Sequence, residues 1–249
     1  MSAAVVRPGG LWSAVVCRGV TGSTNADAAA AADAGAAEGL VVVAERQSAG
    51  RGRLGRVWES PAGAGLMVSV LLRPGVPAAR LGWLPLLAGV ALASAVGRLT
   101  GLPAGLKWPN DLLVRDRKCA GILAEGGAGG MVVVGLGLNV TLRADELPRA
   151  DATSLALEGA TMLDRQALLV GILDDLAEWY LRWRAAGGDP EASGLRRAYR
   201  EMCVTLGRTV TVSLPGDRRV TGVATGVDGD GRLVVEGQAV AAGDVVHVR

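Results

Sequence analysis

The chain has no phenylalanine, two tyrosines and a single histidine in 249 residues. That histidine, His247, lies two residues from the C-terminal end. Ser-His-Asp hydrolysis, Cys-His nucleophilic catalysis and histidine-rich metal sites therefore all lack their central residue, and any enzymatic chemistry is expected to run without imidazole. The three cysteines, Cys17, Cys119 and Cys203, are far apart and form no C-x-x-C pair. They offer neither a disulfide framework nor a zinc site and fit a reducing cytoplasm. Charge of one sign is lacking too: 26 basic residues against 24 acidic ones leave a net +2. That balance argues against a nucleic-acid face or an anionic membrane as the main partner, so any anion binding must be local. The longest apolar run, at 83–97, holds about 15 residues and contains Pro85, short of the roughly 20 that span a bilayer. The N-terminus carries Arg7 and Pro8 with no apolar stretch and cleavage site, so no export signal is expected.

What the chain does have is a 50% hydrophobic composition, enough to build one large domain with a small one attached. After a loose start, "TGSTNADAAAAADAG" at 21–35 reads as a helix, with Ser23 or Thr24 as N-cap and Gly35 at its end. Strands are expected at 39–45 and 65–72, an apolar helix from about Arg80 to Leu99, and further strands within 106–114, from 119 and at 131–140. The segment 164–186 repeats apolar residues at helical spacing, with Leu169, Ile172, Leu173, Leu176, Trp179 and Trp183 on one side. A short helix follows at about 195–203. From Gly207 the texture changes to short strands, "RTVTVSL", "RRVTGVATGV", "RLVVEG" and "DVVHVR", separated by "PGD", "DGDG" and "EGQ" turns. This predicts a small SH3-like barrel, and two domains at 1–203 and 204–249.

Four polar or glycine-rich stretches fall at strand ends and loops, where sites tend to lie. "SAGRGRLGRVW" at 48–58 has Gly50, Gly52 and Gly55 at the spacing of a dinucleotide-binding turn. The following "RVWESPAGAG" cannot be the helix that such a turn must open, and no acid stands near position 75. The interleaved Arg51, Arg53 and Arg56 suit instead a flexible loop that grasps an anion, or a solvated basic turn. "GSTN" at 22–25 sets Ser23 and Thr24 hydroxyls beside free N–H groups at a helix start, a carboxylate cradle or a plain cap. In "KWPND", Pro109 ends or bulges a strand directly after Lys107, a lysine that must be paired with an anion or desolvated at a cost; Asn110 and Asp111 are expected to tie the turn to neighbouring backbone. "GLGLN" offers close-approach glycines, or a strand bulge, and Asn139 within reach of a phosphate or a metal's water. Together these residues hold positive charge and a carboxylate site but no general base. Such a set fits a carboxylate attacking a nucleotide α-phosphate, where repulsion between two anions is the obstacle.

"GSTN", "AERQSAGRGRLGRVW", "KWPNDLLV", "KCAGILAE" and "VGLGLNV", in this order and followed by a small barrel, resemble the biotin–protein ligases from about residue 15 to the end. The resemblance implies an α+β fold: a mixed-sheet catalytic domain of the biotin/lipoate ligase type with an SH3-like barrel. It also implies ATP and Mg²⁺ as cofactors, biotin as substrate, and a biotin carboxyl carrier protein domain of an acyl-CoA or pyruvate carboxylase as partner. By the same resemblance Ser23, Thr24, Asn25 and Gln47 meet biotin, and Gly50, Arg51, Gly52 and Arg53 belong to a loop that closes over it, Arg53 retaining the adenylate. Arg56 implies a phosphate contact and Trp58 an adenine platform. Lys107 corresponds to the lysine bridging carboxylate and α-phosphate. Gly121, Gly135 and Gly137 line the pocket, and Asn139 lies near the nucleotide or a Mg²⁺ held mainly through ATP phosphates. Because "GSTN" starts at residue 22, no room is expected for the DNA-binding domain of larger relatives, so operator binding is not expected; a monomer and a weak homodimer both stay open. A lipoate or octanoate ligase would share the fold and a lysine. A non-enzymatic peptide-binding barrel would need an aromatic groove, and no Phe, Trp or Tyr follows Tyr199.

Overall fold

Alternation along the strands sorts side chains between two cores. The computed structural model describes residues 2–214, 218–241 and 244–248. Strands β1 (Ala14–Thr21), β2 (Leu40–Gln47), β3 (Gly65–Leu72), β4 (Ala104–Lys107), β5 (Asp111–Val114), β6 (Arg117–Gly126) and β7 (Val132–Asn139) form one sheet in the order β1-β2-β3-β7-β6-β5-β4. β1 is parallel to β2 and the other pairings are antiparallel, so the sheet is mixed as expected. On β3, Leu66, Val68, Val70 and Leu72 enter the large core shared with helices α3 (Leu84–Thr100) and α4 (Arg165–Ala185). Leu71, with Val133 of β7, faces a smaller core beneath α2 (Thr24–Asp33). Both faces being covered, β3 is buried along its whole length. The stretch read as a loose start holds a one-turn helix α1 (Ser2–Val5) and the edge strand β1.

The segment Ala78–Thr100 is long and apolar enough to cross a bilayer by length and composition, yet Leu86, Leu87, Val90, Ala91 and Ala95 are wholly buried in the protein. It is the central core helix, entered by a 3-10 turn at Ala78–Trp83, with Pro85 in its first α-helical turn. Asp164 caps α4, its Oδ1 accepting the backbone N–H groups of Gln166 and Ala167 at 2.7 and 3.1 Å, worth about 1 kcal/mol. The seam of α4 also takes in Tyr180, which was not expected: it is buried and its hydroxyl donates to Glu38 at 2.5 Å, while half-buried Trp179 packs against the same core and carries the Arg182 guanidinium 5.1 Å above its ring. Helix α5 (Leu195–Met202) then leads to the barrel.

The barrel strands are β8 (Thr209–Ser213), β9 (Arg219–Val227), β10 (Leu233–Val235), β11 (Gln238–Val240) and β12 (Asp244–His247), antiparallel in the order β11-β10-β9-β8-β12. β11 was not anticipated; Glu236 and Gly237, both at positive φ (47° and 77°), turn the chain back into it. The "PGD" turn at 215–217 lies outside the described residues. Two buried indoles join barrel to sheet domain: Trp83 Nε1 donates to Gly229 O at 2.9 Å and Trp108 Nε1 to Gly231 O at 3.1 Å.

Cys17 is exposed, while Cys119 and Cys203 are buried. Burial, and then the nearby Glu158 carboxylate, push the Cys119 thiol up to about 12. A thiol reagent is therefore expected to titrate one cysteine in the native chain and all three after unfolding in guanidinium. Three fast-reacting thiols in the native protein would contradict this packing.

Candidate functional site

On the α2 face the small residues of β3, β6 and β7 leave a hollow. Ser69 pairs with Gly135 and Met67 with Gly137 across β3 and β7, and Gly121 of β6 lies opposite Gly137. Helix α2 starts only at Thr24, so its body covers Leu71 and Val133 but leaves this end of the sheet open. The result is a cavity of about 360 Å³.

At its α2 side, Ser23 is an extended N-cap whose side chain makes no capping bond. Thr24 donates both its backbone N–H (2.8 Å) and its hydroxyl (3.0 Å) to Gln47 Oε1. One of the N–H groups expected to be free at this helix start is thus already used. Wholly buried Ser69, which the sequence did not single out, places its Oγ 2.7 Å from Thr24 Oγ1 and 2.6 Å from Asn25 Oδ1. Its signal was a lone hydroxyl inside "GLMVSVLL". Asn25 Nδ2 donates to Glu125 at 2.7 Å, and a Cβ on Gly135 would lie 2.2 Å from Asn25 Oδ1. Gly135 is therefore the space in which Asn25 docks.

The arginine-glycine stretch is a hairpin folded over the cavity. Trp58 N–H donates to Gly50 O at 2.9 Å and Gly52 N–H to Arg56 O at 2.7 Å. Gly50 itself stands outside the cavity lining: a Cβ there would lie 2.3 Å from Trp58 O, so the glycine is what lets the hairpin close. Arg51 reaches Glu125 at 3.1 Å, Arg53 donates to Asn110 Oδ1 at 3.2 Å, and Arg56 is exposed at the rim. The Trp58 indole lies against the sheet, with Cε2 2.4 Å from where a Gly137 Cβ would be and Cζ3 3.1 Å from that of Gly121. The close-approach glycines thus receive the chain's own indole. Its Nε1 is buried without a hydrogen-bond partner among the described residues.

On the opposite wall, β4 ends at Lys107, the Trp108–Pro109 bond is cis, and Asp111 stands opposite Lys107 in register. Asn110 ties the turn down as expected, its Nδ2 donating to Ile122 O and its carbonyl accepting the Ile122 N–H, each at 2.9 Å. Asp111 instead pairs with Lys118 Nζ at 2.6 Å. Lys118 also lines the cavity, its Nζ 6.0 Å from the Trp58 ring centroid. The sequence reading passed over it because it closes the charged turn "RDRK", which looks like a solvated loop. Buried Asn139 donates to Thr153 O at 2.9 Å, while Thr153 N–H donates to Lys118 O at 2.8 Å and its hydroxyl to buried Glu158 at 2.5 Å. One residue thereby holds both Asn139 and the start of the Lys118 strand.

Every other residue expected at the site lines this one cavity: Ser23, Thr24, Asn25 and Gln47 on the α2 side; Arg51, Gly52, Arg53, Arg56 and Trp58 from the hairpin; and Lys107, Gly121, Gly135, Gly137 and Asn139 from the sheet. Among the described residues six basic side chains line it, with Lys118 and Arg149 added to these, beside the acidic Glu59 and Asp111, and Glu125 meets one of them, Arg51. A chain of net charge +2 thus carries a local excess of cations at this cleft. His247 is near enough to Lys107 for that charge to act on it: burial first, then Lys107 and Arg208, hold its proton affinity below the usual histidine range.

Fold and site together define an α+β domain with a cationic cleft at one end of a mixed sheet, joined to a small barrel. Residues 22–139 match the biotin/lipoate A/B protein ligase family and residues 205–248 the biotin protein ligase C terminal domain. The chain is 43% identical to the biotin–[acetyl-CoA-carboxylase] ligase of Mycobacterium tuberculosis, covering 98% of this chain and 93% of that one. It is 35% identical to the enzyme of the same name from Paracoccus denitrificans over 88% and 92% of the two chains. Among solved structures, the Aquifex aeolicus biotin protein ligase in complex with biotin and ATP superposes with a TM-score of 0.78 at 27% identity, covering 94% of this chain and 98% of that one. The chain belongs to the biotin protein ligases of the biotin/lipoate A/B protein ligase family.

Proposed function

We infer that the chain joins biotin to ATP and then to a protein lysine. A carboxylate oxygen of biotin attacks the α-phosphorus, the bond to the β-phosphate oxygen breaks, and biotinyl-5′-AMP and pyrophosphate form. The amine of a carrier lysine then attacks the acyl carbon, loses a proton, and AMP leaves. The observation that carries this reading is the convergence of five separate motifs on one cleft lined by six basic side chains. Two anions must approach each other there, and fixed cations remove the repulsion. In this reading Lys107 lies between carboxylate and α-phosphate, with Arg53 and Arg56 on the phosphates and Trp58 against the base. Ser23, Asn25 and Gln47 bound the biotin end. Mg²⁺ arrives with the triphosphate as part of the substrate: among the described residues no three His, Cys, Asp or Glu side chains cluster to hold it, and phosphate oxygens suit a hard cation. The carrier is the biotin-accepting domain of an acyl-CoA or pyruvate carboxylase, the catalytic unit is 1–203 with the barrel at 204–249, and the reaction is cytoplasmic.

The test is pyrophosphate release from the full chain with ATP, Mg²⁺ and biotin, with lipoate in a parallel arm. Release that requires biotin supports the reading. Release with lipoate only would move the activity to lipoate, and silence with both would remove acyl-adenylate chemistry altogether.

A further inference from the structure

Among the barrel's described residues Val245 alone lines the cleft, yet a chain of polar contacts runs from the barrel to Lys107. Trp108, the next residue, donates its backbone N–H to Thr205 Oγ1 at 3.1 Å. Thr205 is wholly buried, and its Oγ1 lies 3.2 Å from Nε2 of His247 on the last barrel strand. The other ring nitrogen, Nδ1, is 3.4 Å from a guanidinium nitrogen of Arg208, whose second nitrogen pairs with Asp116 at 3.1 Å. An arginine can only donate, so Nδ1 is the acceptor and Nε2–H donates to Thr205. This arrangement needs the neutral ring. The charged groups that bear on it are Lys107 at the end of β4, Arg208 at the foot of β8, and Asp116 in the β5–β6 turn. Two cations outnumber one anion, and burial adds to their effect, so a proton is unwelcome there.

We propose that His247 is a positioning residue for Lys107: as a neutral imidazole it anchors Thr205, and through the Trp108 backbone it fixes the lysine at the cleft, an anchorage that protonation releases. A proton on Nδ1 turns the acceptor facing Arg208 into a donor and adds a third positive charge to the cluster. Repulsion from Arg208 then pushes the ring off Thr205, and the hydroxyl that receives the Trp108 N–H loses its anchor, while the Trp108 indole keeps its own bond to Gly231. The proposal rests on the reading of Lys107 as a group that faces the reacting anions. Because His247 binds its proton more weakly than an ordinary histidine, the effect belongs below about pH 6.5, where imidazole begins to charge.

Biotin-dependent ATP–pyrophosphate exchange, followed from pH 8 down to about pH 5.5 on the full chain, tests this with three variants. His247→Gln keeps a neutral hydrogen-bonding group that does not titrate, His247→Arg carries a permanent charge, and Thr205→Val removes the middle of the chain. Dividing each ATP KM by that of His247→Gln at the same pH cancels the titration of ATP and biotin themselves. The expected result is a native ratio that climbs several-fold on the acid side, a His247→Arg ratio already raised at pH 8, and a raised, pH-independent ratio for Thr205→Val. A native ratio flat across the range, or His247→Arg equal to native at pH 8, would overturn the proposal. Absence of exchange in the native chain at every pH would overturn the functional reading instead.

Discussion

Replacing Lys107 by alanine is expected to lower biotin-dependent pyrophosphate release by roughly a thousand-fold. A unit charge about 4 Å from an anion is worth on the order of 4 kcal/mol at the effective dielectric of a protein surface, and each 1.4 kcal/mol is about a factor of ten in rate. Lys107 is placed for that role because the sheet fixes its backbone at the end of β4. Lys118 differs: its ammonium already pairs with Asp111 at 2.6 Å. Removing Lys118 therefore also unmasks a carboxylate that repels both reactants, and the loss should be at least as large. The two sites separate in a double variant. Adding Asp111→Asn to Lys118→Ala should return part of the lost rate, whereas adding it to Lys107→Ala should return little. Near-normal adenylation by Lys107→Ala would remove that residue from the mechanism.

Gly137→Ala should cost roughly a hundred-fold in the same assay, although it adds only one methyl group. The new Cβ would lie 2.4 to 2.7 Å from three atoms of the Trp58 indole, closer than packed atoms tolerate. β7 lies between β3 and β6 within the sheet and is buried along its length, so its backbone cannot retreat; the indole must leave the cleft, and the hairpin that ends at Trp58 must shift with it. The expected signature is a red shift in tryptophan emission alongside the lost rate. Gly126→Ala is the control, since nothing lies within 4 Å of a Cβ there. Unshifted emission with full turnover in Gly137→Ala would show that the indole is not seated on that glycine.

Much of the sheet domain was legible in the sequence because local physics determined it. β-branched runs bounded by turn residues gave β2, β3 and β7, and helical spacing gave α4. Where the reading missed, a long-range partner decided. β1 has an exposed, mixed sequence and becomes a strand only because β2 offers it a parallel edge. Tyr180 joins the buried face beside Trp179, its hydroxyl received by Glu38, 142 residues away in sequence. Lys118 looked like part of a solvated turn until the fold brought it over Trp58 and beside Asp111.

The sequence alone determined which chemistry is available: one histidine, scattered cysteines, and arginines, lysines and small residues gathered in five ordered motifs. It could do so because residue type and spacing decide what charge and what backbone freedom a segment carries. The tertiary structure decided who uses them. It assigned Gly135 to Asn25 and Gly137 to Trp58, closed Thr24 onto Gln47, paired Lys118 with Asp111, and brought the C-terminal histidine to the lysine of a strand 140 residues earlier. Those assignments depend on distances across a sheet and a domain join, and such distances exist only once the chain has folded.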